Sequence, residues 1–441
     1  MRSRAYVRLL ILAVILAVPI AAGAYWFLKL TQLLQGWTFT SIPEAVGFSS
    51  TPTWWPLLPL FVAGVCVGLV IRYLPGSGGE SPVNGFSPGG LPVPINLPGI
   101  LLAAVISIGL GAVIGPEGPL VALGGGAAYL VVWLVKRDTP QQAAAIIAGT
   151  GSFAAISTLL GTPIAGAFLL LEATGIGGAM ATAVLLPGLL AAGIGSLIFT
   201  GLDNLTGYGT FSLTIPNVPS IGTPTGAEFG YALIIGIAAG ATCVALRWLA
   251  TRIRDGIRSH VVLATPVLGL GMAGLAILYA ETTVHGFTDV LFSGQDALPG
   301  LVEHSADYTV GALLMLVLCK GLAYTLALSG FRGGPTFPAM FIGAAGGMAL
   351  SHAPGLPVTA GVAMGLAAMT AGMLRLPMTA VLLATLLLGA AGFSVMPLTI
   401  VAAIIAYLVA NWLVKGTTAP AGPAAAPAQR QAAAPTSAAP T

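Results

Sequence analysis

A single acidic residue lies inside one of the most apolar and glycine-rich stretches of the chain. Residues 111–126 read GAVIGPEGPLVALGGG, and Glu117 is more than twenty residues from any other Asp or Glu. An ionised carboxylate in hydrocarbon is costly without a partner, so such a residue marks a candidate functional site. Pro116 and Pro119 prevent a regular helix from running through. The pattern predicts a broken helix that restarts at about Pro119 and points its N-terminal amides into the protein, as in an anion site. The simpler alternative is a kinked span with a protonated, packed glutamate.

Composition places this stretch in a membrane protein. Apolar residues make up 56% of the 441 residues and charged residues 7%, with a mean hydropathy of +0.96. Soluble domains carry about 25% charged residues, so the chain is expected to be an all-α protein of the lipid bilayer. The 60 glycines and 32 prolines favour close helix packing and interrupted helices. A net charge of +3 gives no indication of nucleic-acid binding.

The cysteines and histidines do not predict a metal site or a cofactor. Cys66, Cys243 and Cys319 lie in separate apolar segments, and the four histidines are equally scattered. Neither set has the spacing of a metal or redox motif. We therefore expect no metal and no cofactor.

The basic residues predict the orientation. Arg2, Arg4 and Arg8 precede an apolar run over 9–28. A signal peptide cleaved near 21–24 is the alternative, but the length of the run and the many later spans favour a retained first helix. The positive-inside rule then places the amino terminus in the cytoplasm of a multi-pass protein of the cell membrane.

The chain divides into two halves. We expect a first half-repeat over 1–202, an extracellular linker over 203–225 with a strand-like piece GTFSLTI, a second half-repeat over 226–415 and a disordered, cytoplasmic Ala/Pro-rich tail over 416–441. The later apolar segments are 54–73, 100–114, 119–135, 143–160, 163–171, 182–200, 228–252, 261–279, 308–331, 357–374, 377–391 and 397–414. The Gly/Pro-rich stretch 75–99 is either a solvated loop or a re-entrant element.

Two Gly/Pro breaks occupy similar places in the two halves. Gly115 lies 109 positions after Tyr6, and Gly333 lies 107 positions after Gly226. Matching interrupted helices in two halves indicate a midplane binding site in a transporter built from inverted repeats.

Three short motifs resemble the signatures of a known family. They are GSG at 76–78, GPEGP at 115–119 and SGFRGGPTFP at 329–338, and their order and spacing are similar to those of the CLC family of chloride channels and proton-coupled chloride transporters. The resemblance covers about residues 5–415. It implies an all-α membrane fold of two inverted-topology repeats with broken and re-entrant helices, assembled as a homodimer.

The resemblance also implies roles for individual residues. Glu117 would gate the anion path and carry protons, and Ser77 would offer its hydroxyl to the central chloride or similar small anion. The expectation that the anion is chloride and not fluoride or nitrate rests on Ser77 alone. The remaining anion-binding residues implied by the motifs are Gly76, Gly78, Gly115, Gly118, Gly334, Thr336 and Phe337.

Several positions depart from the family pattern. Pro116 replaces the usual Lys or Arg, residues 79–81 read GES instead of IP, and Pro335 has no N–H to give to an anion. Arg332 and Lys320 lie close in sequence and could offset the missing donor. Arg332 could equally be a loop cation that faces water.

Two further departures bear on proton coupling. Glu172 is retained, but Ala173 replaces the inner proton glutamate. The family's site tyrosine has no counterpart, because Thr418 falls near its place and Tyr407 is a weak substitute. We therefore expect a passive or loosely coupled channel slightly ahead of a strict proton antiporter.

Two other functional classes remain to be weighed. The rival is a cation- or substrate-coupled secondary transporter with broken helices, in which Glu117 would bind a cation. A membrane enzyme is not expected, because no nucleophile, base and orienting residue occur together and no histidine lies near Ser77 or Glu117 in sequence.

Overall fold

The computed structural model describes residues 4–86, 93–135, 140–175, 178–216, 218–219 and 222–414. Arg2, Thr418 and the tail predicted over 416–441 lie outside these ranges. Within them the chain is built of helices joined by turns and loops. The helices are α1 Arg4–Gly36, α2 Ile42–Ala45, α3 Leu57–Tyr73, α4 Leu97–Gly109, α5 Glu117–Val135, α6 Gln141–Ala155, α7 Pro163–Thr174, α8 Gly178–Thr206, α9 Gly226–Ile257, α10 Val261–Thr282, α11 Ala297–Glu303, α12 Val310–Gly330, α13 Thr336–Leu350, α14 Val358–Leu374, α15 Pro377–Leu387 and α16 Gly389–Val414.

Long apolar helices make the chain an integral membrane protein. By length and composition, six helical stretches of the described residues are able to cross a membrane, since about 20 apolar residues span the hydrocarbon core. They are Tyr6–Ala45, Glu117–Val135, Ala183–Thr206, Gly226–Thr282, Val310–Gly330 and Gly389–Val414. Shorter apolar helices pack among them, including α4, α7, α13 and α15.

The contacts of the first half recur in the second half. Helix α5 packs on α6 as α13 packs on α14, and α1 packs on α8 as α9 packs on α16. Small residues allow this close approach in both halves. A Cβ on Gly124 would overlap the carbonyl of Gly151, and a Cβ on Gly365 would overlap the carbonyl of Gly343. This pairing confirms the two-repeat fold class.

Two predicted element ends and one predicted strand-like piece are wrong. Helix α8 continues to Thr206 instead of ending near 200, and α16 begins at Gly389 and runs through Pro397, where a new span was expected. Proline is tolerated within a membrane helix because groups of neighbouring helices bind the backbone carbonyls that it leaves without a donor. The piece GTFSLTI at 209–215 is not a strand, because its backbone pairs with no strand among the described residues, and the Ile215 N–H donates instead to the Leu387 carbonyl.

The Gly/Pro-rich stretch after α3 packs into the protein as a series of tight turns. It forms 3₁₀ turns at Pro75–Gly78, Pro82–Asn84 and Pro94–Asn96, while residues 87–92 are not described. Gly78 and Val83 in these turns are buried. These described parts therefore fit the re-entrant alternative better than a fully solvated loop.

Candidate functional site

The two Gly/Pro breaks meet in space. The Gly115 N–H donates to the Gly334 carbonyl over 2.8 Å, and the Gly334 N–H donates to the Gly115 carbonyl over 2.6 Å. The pair forms an isolated antiparallel bridge immediately before α5 and before α13. The N-terminal ends of both helices therefore converge on one point.

Glu117 lies at this point and is fully buried. Its Oε1 accepts a hydrogen bond from the Thr336 N–H, which belongs to the first residue of α13. Its Oε2 has no hydrogen-bond partner among the described residues. Burial disfavours an ionised carboxylate, whereas the Thr336 amide and the positive ends of α5 and α13 favour it. The side chain thus holds a carboxylate where a helix N-terminus presents a donor to an anion. Helix α5 begins at this residue, two positions earlier than the predicted restart at Pro119.

Glycines on either side leave the space that the carboxylate fills. A Cβ on Gly334 would overlap the Glu117 carboxylate carbon and Oε1, and a Cβ on Gly115 would overlap Oε2. On the next residue of α5, a Cβ on Gly118 would lie 3.2 Å from the Gly333 carbonyl oxygen. These glycines are required here by close packing around one side chain.

The Ser77 turn has an unusual backbone. Gly76, Ser77 and Gly78 all have positive φ, of 76°, 50° and 69°, and this region is strained for a serine. The Ser77 side chain is exposed, and its carbonyl accepts a hydrogen bond from Arg332 Nε over 3.2 Å. Ser77 is therefore joined to the loop before α13 through its backbone.

A cavity of about 720 Å³ lies between this turn and the start of α5. Among the residues predicted from the motifs, Gly76, Gly78 and Gly118 line it. Thr336 and Phe337 are buried in the first turn of α13 and do not line the cavity. The cavity therefore reaches the residue next to Glu117 but not its carboxylate.

The two cations near the third motif lie in different places. Lys320 is fully buried and its Nζ donates to the Asp289, Val290, Leu291 and Phe292 carbonyls over 2.8, 3.1, 3.0 and 3.5 Å. The expectation that Lys320 offsets the missing Pro335 donor is therefore wrong, because its ammonium binds the carbonyls of the loop at 289–292. Arg332 is partly buried and lines the cavity.

Two side chains that the sequence analysis did not single out also hold the third motif. Tyr324 is fully buried and its hydroxyl donates to the Pro335 carbonyl over 2.7 Å. Ser107 in α4 accepts a hydrogen bond from the Arg332 N–H over 3.2 Å. The one available signal for Tyr324 was a polar aromatic residue inside an apolar helix that leads into the motif. Tyr407, the weak substitute for the site tyrosine, is partly buried in α16.

Glu172 binds the start of another helix. Its Oε1 accepts from the Met378 N–H over 3.0 Å, and its Oε2 accepts from the Thr379 N–H and hydroxyl over 2.7 and 2.6 Å. The carboxylate thereby caps α15 and ties it to α7. Ala173, the next residue, has no ionisable group to relay a proton.

Comparisons with known proteins agree with this geometry. Residues 63–411 match the family described as Voltage gated chloride channel. YfeO of Salmonella typhimurium, named as a candidate ion-transport protein, is 31% identical over 364 residues, which cover 81% of this chain and 84% of that protein. YfeO of Escherichia coli SMS-3-5 is 28% identical over 360 residues, covering 81% and 82%.

Solved structures show the same fold. A slow cyanobacterial Cl⁻/H⁺ antiporter is similar with a TM-score of 0.71 at 19% identity, covering 92% of this chain and 95% of that one. A CLC-type fluoride/proton antiporter is similar with a TM-score of 0.66 at 21% identity and the same coverage. The chain therefore belongs to the voltage-gated chloride channel (CLC) family and carries out CLC-type transport of chloride or a similar small anion across the membrane, as a channel or a proton-coupled exchanger.

Proposed function

We propose that Glu117 is the gate of the anion path. The observation that carries this proposal is the hydrogen bond that its Oε1 accepts from the Thr336 N–H. A carboxylate and a halide compete for the same donors, so an ionised Glu117 blocks the place that a chloride would take. Protonation weakens the attraction to the amide and to the helix ends, and the side chain then moves aside.

The anion site is formed by backbone groups around the two breaks and by the Ser77 turn. Gly115, Gly118, Gly334, Thr336 and Phe337 lie at or beside the start of α5 and α13, and Gly76, Ser77 and Gly78 would hold the anion from the cavity side. Partial charges of this kind bind an anion weakly enough for it to leave again. They also favour an anion over the cation that a cation-coupled transporter would place at Glu117.

Transport is passive or only loosely coupled to protons. Ala173 offers no proton relay, and the three hydrogen bonds that the Glu172 carboxylate accepts from described residues come from the start of α15. Both features support channel-like conduction slightly ahead of strict proton antiport.

Substitution of the gate tests its role. In proteoliposomes, Glu117→Gln should abolish the pH dependence of chloride flux and leave the flux itself, because the amide is neutral at every pH. Glu303→Gln is the matched control, since Glu303 is exposed at the end of α11. An unchanged pH dependence in Glu117→Gln would contradict the gate assignment.

Reversal potentials test the coupling. With a chloride gradient held constant, a passive channel keeps the same reversal potential when a proton gradient is added. A potential that shifts with the proton gradient would establish coupled exchange instead. Flux that requires sodium and ignores chloride would favour the cation-coupled transporter.

The protein is further proposed to be a homodimer with its amino terminus and tail in the cytoplasm, and its halves are assigned to 1–202 and 226–415. The small-residue run GLLAAGIG at 188–195 in α8 is compatible with a helix-packing interface. Light scattering of the detergent-solubilised protein tests the dimer, and labelling of single introduced cysteines from each side of the membrane tests the orientation.

A further inference from the structure

Arg332 joins its own loop to two other parts of the protein, α4 and the Ser77 turn. Its backbone N–H donates to Ser107 Oγ over 3.2 Å, its Nε to the Ser77 carbonyl over 3.2 Å and its Nη1 to the Phe331 carbonyl over 3.1 Å. The side chain is therefore held at one place beside the Ser77 turn. A simple loop cation facing bulk water would have no such contacts.

The guanidinium retains both charge and donors for a ligand. It carries more N–H groups than its two bonds to Ser77 and Phe331 use. No carboxylate of the described residues lies within 4.0 Å of the guanidinium. The salt bridge found among those residues joins Arg254 and Asp255 and does not include Arg332. The other ionisable residue lining the cavity is Glu80, which is exposed.

The cavity around Arg332 is suited to concentrating an anion. Most of its lining is apolar, with Ile100, Val121 and Phe153 among the wall residues. A charge in such a cleft acts through low-dielectric walls and raises the local concentration of the opposite ion. Gly118, at the start of α5, lines the same cavity.

We propose that Arg332 is the residue that draws chloride into this cavity and passes it to the Ser77 turn. The inference rests on the proposed anion transport and adds the group that sets apparent affinity on the cavity side. Its bond to the Ser77 carbonyl holds the charge beside the turn, while its remaining donors contact the anion. Because Arg332 lines a cavity that Glu117 does not line, it raises the occupancy of the cavity without holding the ion at the gate.

The test is the chloride dependence of flux by the full chain in proteoliposomes at one fixed pH. Arg332→Gln should raise the half-saturating chloride concentration about tenfold, which corresponds to about 1.4 kcal/mol, and keep the maximal rate within about twofold. Arg332→Lys retains the charge and should stay within about threefold of the wild type. Arg72→Gln is the control, because Arg72 is exposed at the end of α3 and does not line the cavity.

A purely structural role makes a different prediction. It would lower the maximal rate and the unfolding midpoint of both Arg332 variants and leave the half-saturating concentration unchanged, and that result would overturn the proposal. If Arg332→Gln does not fold, the test is made on Arg332→Lys. A half-saturating chloride concentration in Arg332→Lys that is about tenfold above the wild-type value would also overturn the proposal. An equal effect of Arg72→Gln would also overturn it.

The two proposals fail in distinguishable ways. A wild-type protein without chloride flux would overturn both. A wild-type flux that ignores pH would overturn the Glu117 gate alone, because the affinity measurement at fixed pH does not depend on the gate.

Discussion

Replacing Gly334 with alanine should force the gate out of its place. The new Cβ would lie 2.5 Å from Glu117 Cγ and would overlap the carboxylate carbon and Oε1. Real Cβ atoms do not approach other atoms so closely, so one group must move. The overlapping atoms belong to the end of a flexible side chain, and rotation of Glu117 is therefore the least costly response.

The size of the effect follows from the contact that is lost. Displacing the carboxylate removes its hydrogen bond from the Thr336 N–H. A hydrogen bond to a charged group contributes about 2 kcal/mol, which is about a 30-fold change in the balance between the seated and displaced gate. Gly334→Ala should therefore raise chloride flux most at neutral and alkaline pH, where the wild-type carboxylate is ionised, and flatten the pH profile.

The assay is chloride efflux from proteoliposomes over a series of pH values. Gly346→Ala is the matched control, because Gly346 lies in α13, the helix that follows Gly334, and its Cβ would make an ordinary 3.9 Å contact with Val317. A Cβ on Gly115 would overlap Glu117 Oε2, so Gly115→Ala should act in the same direction. A folded Gly334→Ala protein with the wild-type pH profile would refute the reasoning. So would an additional change of the pH profile when Gly334→Ala is combined with Glu117→Gln.

Three other substitutions test the supporting contacts. Glu172→Gln places an amide against the backbone donors of α15, so it should lower the unfolding midpoint by the equivalent of about 1–2 kcal/mol. The pH dependence of flux should stay unchanged, and an altered pH profile would assign Glu172 a role in proton transfer. Lys320→Met leaves four carbonyls, two of them in fully buried bonds, without this donor and should lower the free energy of unfolding by about 3 kcal/mol. An unchanged unfolding midpoint would show that water replaces the ammonium. Burial raises the pKa of Asp289 despite the Tyr308 hydroxyl that donates to its carboxylate. The contribution of Asp289 to the stability of the folded protein is therefore complete at acid pH, and it is lost as the pH rises through that pKa. Asp289→Asn should thus become more stable relative to the wild type from about pH 4 towards neutrality in thermal unfolding, and a constant difference would contradict the cause given.

Much of this protein could be predicted from local sequence. Long apolar runs with few charges predict membrane helices, and a lone acid between two prolines predicts a broken helix that restarts close to a buried charge. The start of α5 could therefore be placed within about two residues. Helix ends were less accurate, as at Pro397, because proline breaks a helix only where neighbouring groups do not satisfy the backbone.

Only the tertiary structure decided which groups meet. The acceptor Glu117 and the donor Thr336 are 219 positions apart, and Glu172 caps a helix that begins more than 200 positions later. Lys320 is close to the third motif in sequence, but in the folded protein its ammonium binds the carbonyls of the loop at 289–292. Local patterns report the conformation that a segment prefers and whether it is buried. The partner of a buried polar group depends on how helices from both halves pack together, and that is a property of the whole fold.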